Sequence, residues 1–253
     1  MALASLLLIL VSACGAAPQE RSGPDAGTPA ADAAAPPPDA SSGCPAAPTA
    51  ALASPATVAD AVALANALLA RRSPLSLDCF LSALQRPLTV LGVISTFSLQ
   101  PSVGGAMNPR IFIFSGNLVM SVVPAGEGSP FVELAEYTSP IRSIKGQLAF
   151  PVTAPIPLAD AYDSIRDGDA ATTCGVCHRY EEPAPQVTAA AAFESGVLAP
   201  VPTDVVPLQR MQDDLSTCDP QSEPERCAIL NALFSRGPVL TGAFSPDAPT
   251  IFN

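Results

Sequence analysis

The sequence predicts an α+β fold: a helix plus an antiparallel β-meander over 57–155, then a small, mostly helical region over 156–253, all behind a disordered N-terminal stretch. Three observations predict it. Residues 16 to about 54 consist almost wholly of Ala, Pro, Asp, Gly and Ser, with no aromatic side chain. The texture then turns helical at 57 and β-branched at 88. From 155 it becomes rich in Pro and Ala, with short helical patterns.

The Ala/Pro stretch cannot bury enough apolar surface to offset its ordering entropy, so it reads as a tether. Pro36-Pro37-Pro38 stiffens it locally. A flexible chain of this length reaches roughly 40 Å. Cys44 is the exception within the tether and is expected to pair with a cysteine of the body.

Thr57-Val58-Ala59-Asp60 resembles a capping box, and Val58, Ala61, Val62, Ala65, Leu68 and Leu69 follow at helical spacing. Arg71 and Arg72 sit where cations suit a helix C-terminus, so 57–72 is predicted helical. A second short helix over about 77–85 carries Cys79 and stops at Pro87. The apolar runs 88–94, 111–114, 118–123, 131–137 and 143–152 predict about five strands. Gly116-Asn117 between the second and third is a hairpin signal. Glu133 and Glu136 are expected to face solvent rather than to form a catalytic pair. Helical stretches are predicted over 158–166, 187–197 and 223–236, the last stopped by Gly237-Pro238.

The chain opens with an unbroken apolar run that ends Val11-Ser12-Ala13-Cys14. It is shorter than the roughly 20 residues that span a bilayer, and it carries no Lys or Arg. Its last four residues resemble the lipobox of bacterial lipoproteins. The resemblance implies a signal peptide over 1–13, a lipidated Cys14 that begins the 14–56 tether, and a cell-envelope protein held to the membrane by acyl chains. Gly15 rather than Asp after the cysteine implies an outer-membrane or periplasm-facing position.

The formal net charge of −11 argues against nucleic acid as a partner, because phosphate binding needs clustered Lys and Arg. An acidic surface suits a basic protein partner. Seven cysteines occur. With Cys14 taken by lipid, an exported protein is expected to pair others. With Cys174 and Cys177 otherwise engaged, four remain and allow three connectivities, of which proximity in sequence favours Cys44 with Cys79 and Cys218 with Cys227.

Cys174-Gly175-Val176-Cys177-His178 contains the only histidine in the chain. Two thiols three positions apart can reach the two vinyl groups of one porphyrin, and a histidine directly after them lies under the iron. These five residues resemble the haem-attachment site of c-type cytochromes. The resemblance implies one covalent haem c on Cys174 and Cys177, with His178 as proximal iron ligand. It also implies that the helical 156–253 region is cytochrome c-like, and that the function is electron transfer without substrate chemistry, docked to a basic redox protein. Met211, the only methionine after the motif, is the distal candidate. Met107 and Met120 are alternatives, as is five-coordinate iron. Asp167-Gly168-Asp169 interrupts the helix that usually leads into such a motif.

Other chemistries fit the same cysteines. They can form structural disulfides in a binding or scaffold lipoprotein without haem. Cys174, Cys177, Cys218 and Cys227, or a set with His178, can hold zinc. A thiol–disulfide oxidoreductase needs its CxxC to open a helix after a strand, whereas 167–173 reads as loop. Asp213-Asp214 reads as a solvated pair.

Overall fold

A computed structural model of the protein describes residues 43–94, 98 and 100–250. The predicted signal peptide, Cys14 and the tether up to residue 42 lie outside the described residues. The last part of the predicted tether belongs to the body. Cys44 is disulfide-bonded to Cys79. A four-residue helix α1 (Ala50–Ala53), capped by Thr49, buries Ala53.

Two more helices come next, α2 (Val58–Leu69) and α3 (Leu77–Ser82). Thr57 and Asp60 form the predicted capping box in both directions. Helix α2 buries Val58, Ala61, Val62, Leu64, Ala65, Leu68 and Leu69. The meander then runs β1 (Leu88–Val93), β2 (Arg110–Ser115), β3 (Leu118–Val122), β4 (Phe131–Ser139) and β5 (Arg142–Ala149), each antiparallel to the next. Gly116 turns the β2–β3 hairpin at φ 58°, a conformation that a two-residue hairpin loop needs and glycine adopts without a Cβ clash.

The second half corrects the expected architecture. After α4 (Asp160–Asp163) and a two-residue hairpin of β6 (Arg166–Asp167) and β7 (Ala171–Thr172), the chain adds four short strands to the meander's own sheet. They are β8 (Glu182–Pro183), β9 (Phe193–Gly196), β10 (Val205–Val206) and β11 (Val239–Thr241). Among the described residues the sheet has nine strands, in the order β10-β1-β2-β3-β4-β5-β9-β8, with β11 running parallel to the start of β1. No cytochrome c-like helical region is present among the described residues.

The helix expected over 187–197 is largely loop ending in β9, where buried Phe193 and Ser195 alternate with half-buried neighbours. Two to four residues are too few to display a strand period, so composition misled. The opposite error occurs at 208–217. Pro207-Leu208-Gln209-Arg210, just before Met211, reads as a loop, yet the chain forms α5 (Leu208–Thr217) there with Pro207 as its N-cap, where a missing N–H costs nothing. Helix α6 (Pro224–Phe234) falls inside the predicted 223–236, and the Cys218–Cys227 disulfide ties it to the end of α5.

Strand register sorts the sheet into two faces. Ile111, Ile113, Met120, Val122, Leu134, Ile144 and Leu148 point to one face, where they join α2, α3 and α6 in a single apolar core. Gly146 lies on that face. A Cβ there would stand 3.1 Å from the Ala161 carbonyl oxygen and 3.3 Å from Val58, so its absence lets α2 and α4 seat closely on the sheet. Arg86 closes the layer, donating hydrogen bonds to the Leu233 and Ala232 carbonyls at the C-terminus of α6. A cation there satisfies carbonyls that the helix leaves unpaired. The other face of the sheet is the floor of a cavity.

Candidate functional site

On the second face, alternate residues of four neighbouring strands point the same way. Phe112, Ser121, Glu133 and Gln147 form one row across the sheet. Val119, Ala135 and Lys145 form the row beside it. The segments around 165, 174–178 and 197–204, with Phe244, roof this surface. The cavity is open on one side and has a volume of about 210 Å³. Phe244 is held there edge-on to Phe112 and Phe114, with ring centroids 5.0 and 5.4 Å away.

The CxxCH residues form part of this roof. The β6–β7 hairpin delivers Thr172, whose side chain caps the turn by accepting from the Cys174 N–H at 3.2 Å. Glu181 fixes Thr172 in turn, accepting from its N–H and its hydroxyl, both at 2.6 Å. Gly175 makes room for that carboxylate, because a Cβ would lie 2.8 Å from a Glu181 oxygen. The His178 N–H then donates to the Cys174 carbonyl at 2.9 Å, so the motif closes one helical turn. Cys174, Cys177 and His178 all line the cavity, while Val176 is exposed.

Immediately after the motif, the chain is zipped to the sheet edge. The Gly196 N–H donates to the Arg179 carbonyl at 3.1 Å, and Arg142 donates to the Tyr180 carbonyl at 3.1 Å. His178 Nδ1 lies 2.7 Å from the Gly196 carbonyl oxygen. A carbonyl only accepts, so Nδ1 carries the proton and Nε2 keeps a free lone pair. Burial, with Lys145 and Arg110 nearby, pushes the imidazole down to about 3, against the pull of the Gly196 bond. The ring is therefore neutral at physiological pH, the form that binds metals.

The floor is a polar network. Arg110 donates to Ser121 at 3.1 and 2.8 Å, to Ser98 at 2.7 Å, and to Glu133 in an ion pair. Ser121 donates to Gln100 at 3.0 Å. Oε1 of Glu133 is buried without a hydrogen-bond partner. Glu133 therefore lines the cavity rather than facing solvent. Glu136, on the core face of the same strand, accepts from the Val58 N–H at 2.9 Å at the start of α2. Asp214 is likewise buried and paired with Arg210 at 3.1 Å, while Asp213 is exposed.

Lys145 had no signal in the sequence. It is buried on the floor and donates to Ser143 at 2.7 Å. Burial lowers its ammonium to about 8, with Cys174, Glu133 and Glu181 pulling up and Arg110 pushing down. Below pH 8 the lysine is charged in both the folded and the unfolded chain, and the full cost of its burial stands. Between pH 8 and its ordinary 10.5 the folded protein releases the proton first, and stability climbs. As the polypeptide without cofactor, Lys145→Met is expected to be more stable than the parent by about 3 kcal/mol at pH 7, at about 1.4 kcal/mol per pKa unit. The gap should close above pH 10.5. Urea denaturation of the pair at both pH values measures the gap, with the Cys174 thiol, which the lysine charge lowers, titrating higher in the variant. Equal stability at both would contradict this.

The structure separates the predicted site residues. Cys174, Cys177 and His178 come together. Met211 does not join them: it is buried on the helix side of the sheet, its sulfur over Gly92. Met120 lies in the same core, and Met107 is exposed in a turn away from the cavity. Among the described residues no methionine lines the cavity. Cys218 and Cys227 are oxidised to a disulfide, which removes the four-cysteine zinc set. Cys174 and Cys177 remain thiols. Burial raises the Cys174 thiol above its ordinary value, the reverse of the lowered thiol that a disulfide oxidoreductase uses.

No protein-family model, curated protein or solved structure matches the chain.

Proposed function

We propose that this protein carries one haem, bound covalently through Cys174 and Cys177 with His178 as proximal iron ligand, and transfers electrons at the cell envelope as a lipid-anchored protein. The observation that carries the reading is the Nδ1 bond of His178 to the Gly196 carbonyl. A histidine that ligates metal almost always donates its other ring nitrogen to such an acceptor, which fixes ring and tautomer.

Three further features fit. The two thiols are unpaired, while the other four described cysteines form disulfides. The cavity that they share with His178 is partly apolar, with Phe112, Val119 and Phe244 in its lining. Arg110 supplies a buried cation on the floor. When bound, haem supplies a one-electron iron couple. The chain's own residues would do the rest. Cys174 and Cys177 would hold the group as thioethers, each thiol adding S and H across one vinyl double bond with nothing released. The turn from Thr172 to His178 would hold the donors against the cavity. The lipobox resemblance and the acidic composition support membrane anchoring and a basic redox partner.

Intact mass and thiol titration test the reading on protein made with cytochrome c maturation machinery. The expected result is two disulfides, no free body thiol and a mass gain of one haem. Three disulfides and no mass gain would replace the haem reading with a scaffold lipoprotein.

A further inference from the structure

We propose that Lys145 is the sixth ligand of the iron, its Nζ taking the coordination position left open opposite His178. This role for the lysine rests on the haem reading.

Lys145 and His178 line the same cavity from opposite layers, Lys145 from the sheet floor on β5 and His178 from the roofing turn. The two are close enough for the charge of the lysine to bear on both His178 and Cys174. A buried lysine normally answers a carboxylate. Among the described residues none lies within ion-pair distance of Lys145, and Glu133, in the row beside it, is ion-paired to Arg110 through Oε2. The single hydrogen bond of Lys145, to Ser143, fixes the direction of its nitrogen and leaves other positions around that nitrogen open.

The remaining donors in the lining are poorer. No methionine and no second histidine is among them. Burial pushes the Tyr137 phenol up to about 12, which disfavours a tyrosinate. Asp204 stands beside the β1–β10 end of the sheet, its carbonyl bonded to the Ile94 N–H. An amine nitrogen placed by a strand, with no carboxylate in ion-pair contact among the described residues, is the donor that faces His178 across the cavity. It also gives a reason for burying the only lysine of the chain where hydrophobic packing alone would leave it out.

The spin state of the ferric iron reports the sixth ligand, while intact mass reports haem attachment separately. The parent protein is expected to be six-coordinate and low-spin. Lys145→Leu is expected to keep the covalent mass gain but turn high-spin, and Lys145→His to restore a low-spin spectrum. Because the chain has a single lysine, labelling with lysine carrying ¹⁵N at Nζ alone places one label in the molecule, and electron–nuclear double resonance on the unmutated protein should detect that nitrogen bound to iron. This arm stands if Lys145→Leu does not fold. A high-spin parent, a low-spin Lys145→Leu protein or an uncoupled ¹⁵N label would overturn the lysine assignment and leave the haem reading intact. A parent without covalent haem would overturn both.

Discussion

Replacing His178 with alanine is expected to cut haem incorporation at least about tenfold, the loss that removing even an outer-shell partner of a metal ligand causes. Whatever haem the variant retains should show a spectrum unlike the parent's, and added imidazole should restore it. The position of the ring is the reason. Nδ1 is committed to Gly196, so Nε2 is the one donor that the turn presents to the cavity. Visible spectra of the matured variant, with and without imidazole, decide it. An alanine variant with full haem and an unchanged spectrum would remove His178 from the iron.

Arg110→Met is expected to lower the free energy of unfolding by about 3–5 kcal/mol, the cost of leaving one partner of a buried ion pair alone. The Arg110 and Glu133 side chains are only 14% and 18% exposed. The same guanidinium also satisfies Ser121 and Ser98. The double variant Arg110→Met/Glu133→Leu should regain most of the loss, because two apolar groups need no partner. Urea denaturation of parent, single and double variants measures this. A single variant within about 0.5 kcal/mol of the parent would show that the pair is solvated after all.

Chemistry was legible in the sequence wherever it is local. The Thr57–Asp60 box starts α2 because its two hydrogen bonds close within four residues. Gly116 turns the β2–β3 hairpin for a similar reason, and both disulfides join cysteines close together in the cysteine order. The CxxCH turn was legible because its spacing is itself the geometry. What the sequence concealed is set by register. Glu133 and Glu136 look equivalent, yet three positions apart on a strand they point to opposite faces, one to Arg110 and one to the start of α2. Met211 has the right place in the chain for a distal ligand and the wrong side of the sheet. Lys145 carries no local pattern at all. Only the pairing of β4 with β5 brings it under the motif. Strands β8 to β11 are too short for a period, and they form because the edges of the meander accept them.

These placements separate fold from site. The helical region that a c-type motif implied is absent among the described residues, and a sheet floor takes its place as the wall facing the histidine. A turn that carries two thiols and a histidine is held here against a cavity floored by a β-sheet, so function is argued from that site and not from the fold.

The central claim is tested most directly by the absorption spectrum of the protein produced with c-type maturation machinery, read after reduction and again in alkaline pyridine. The account predicts a covalent haem c signal that survives acid–acetone extraction. A colourless protein, from cells that mature a control cytochrome, would contradict it.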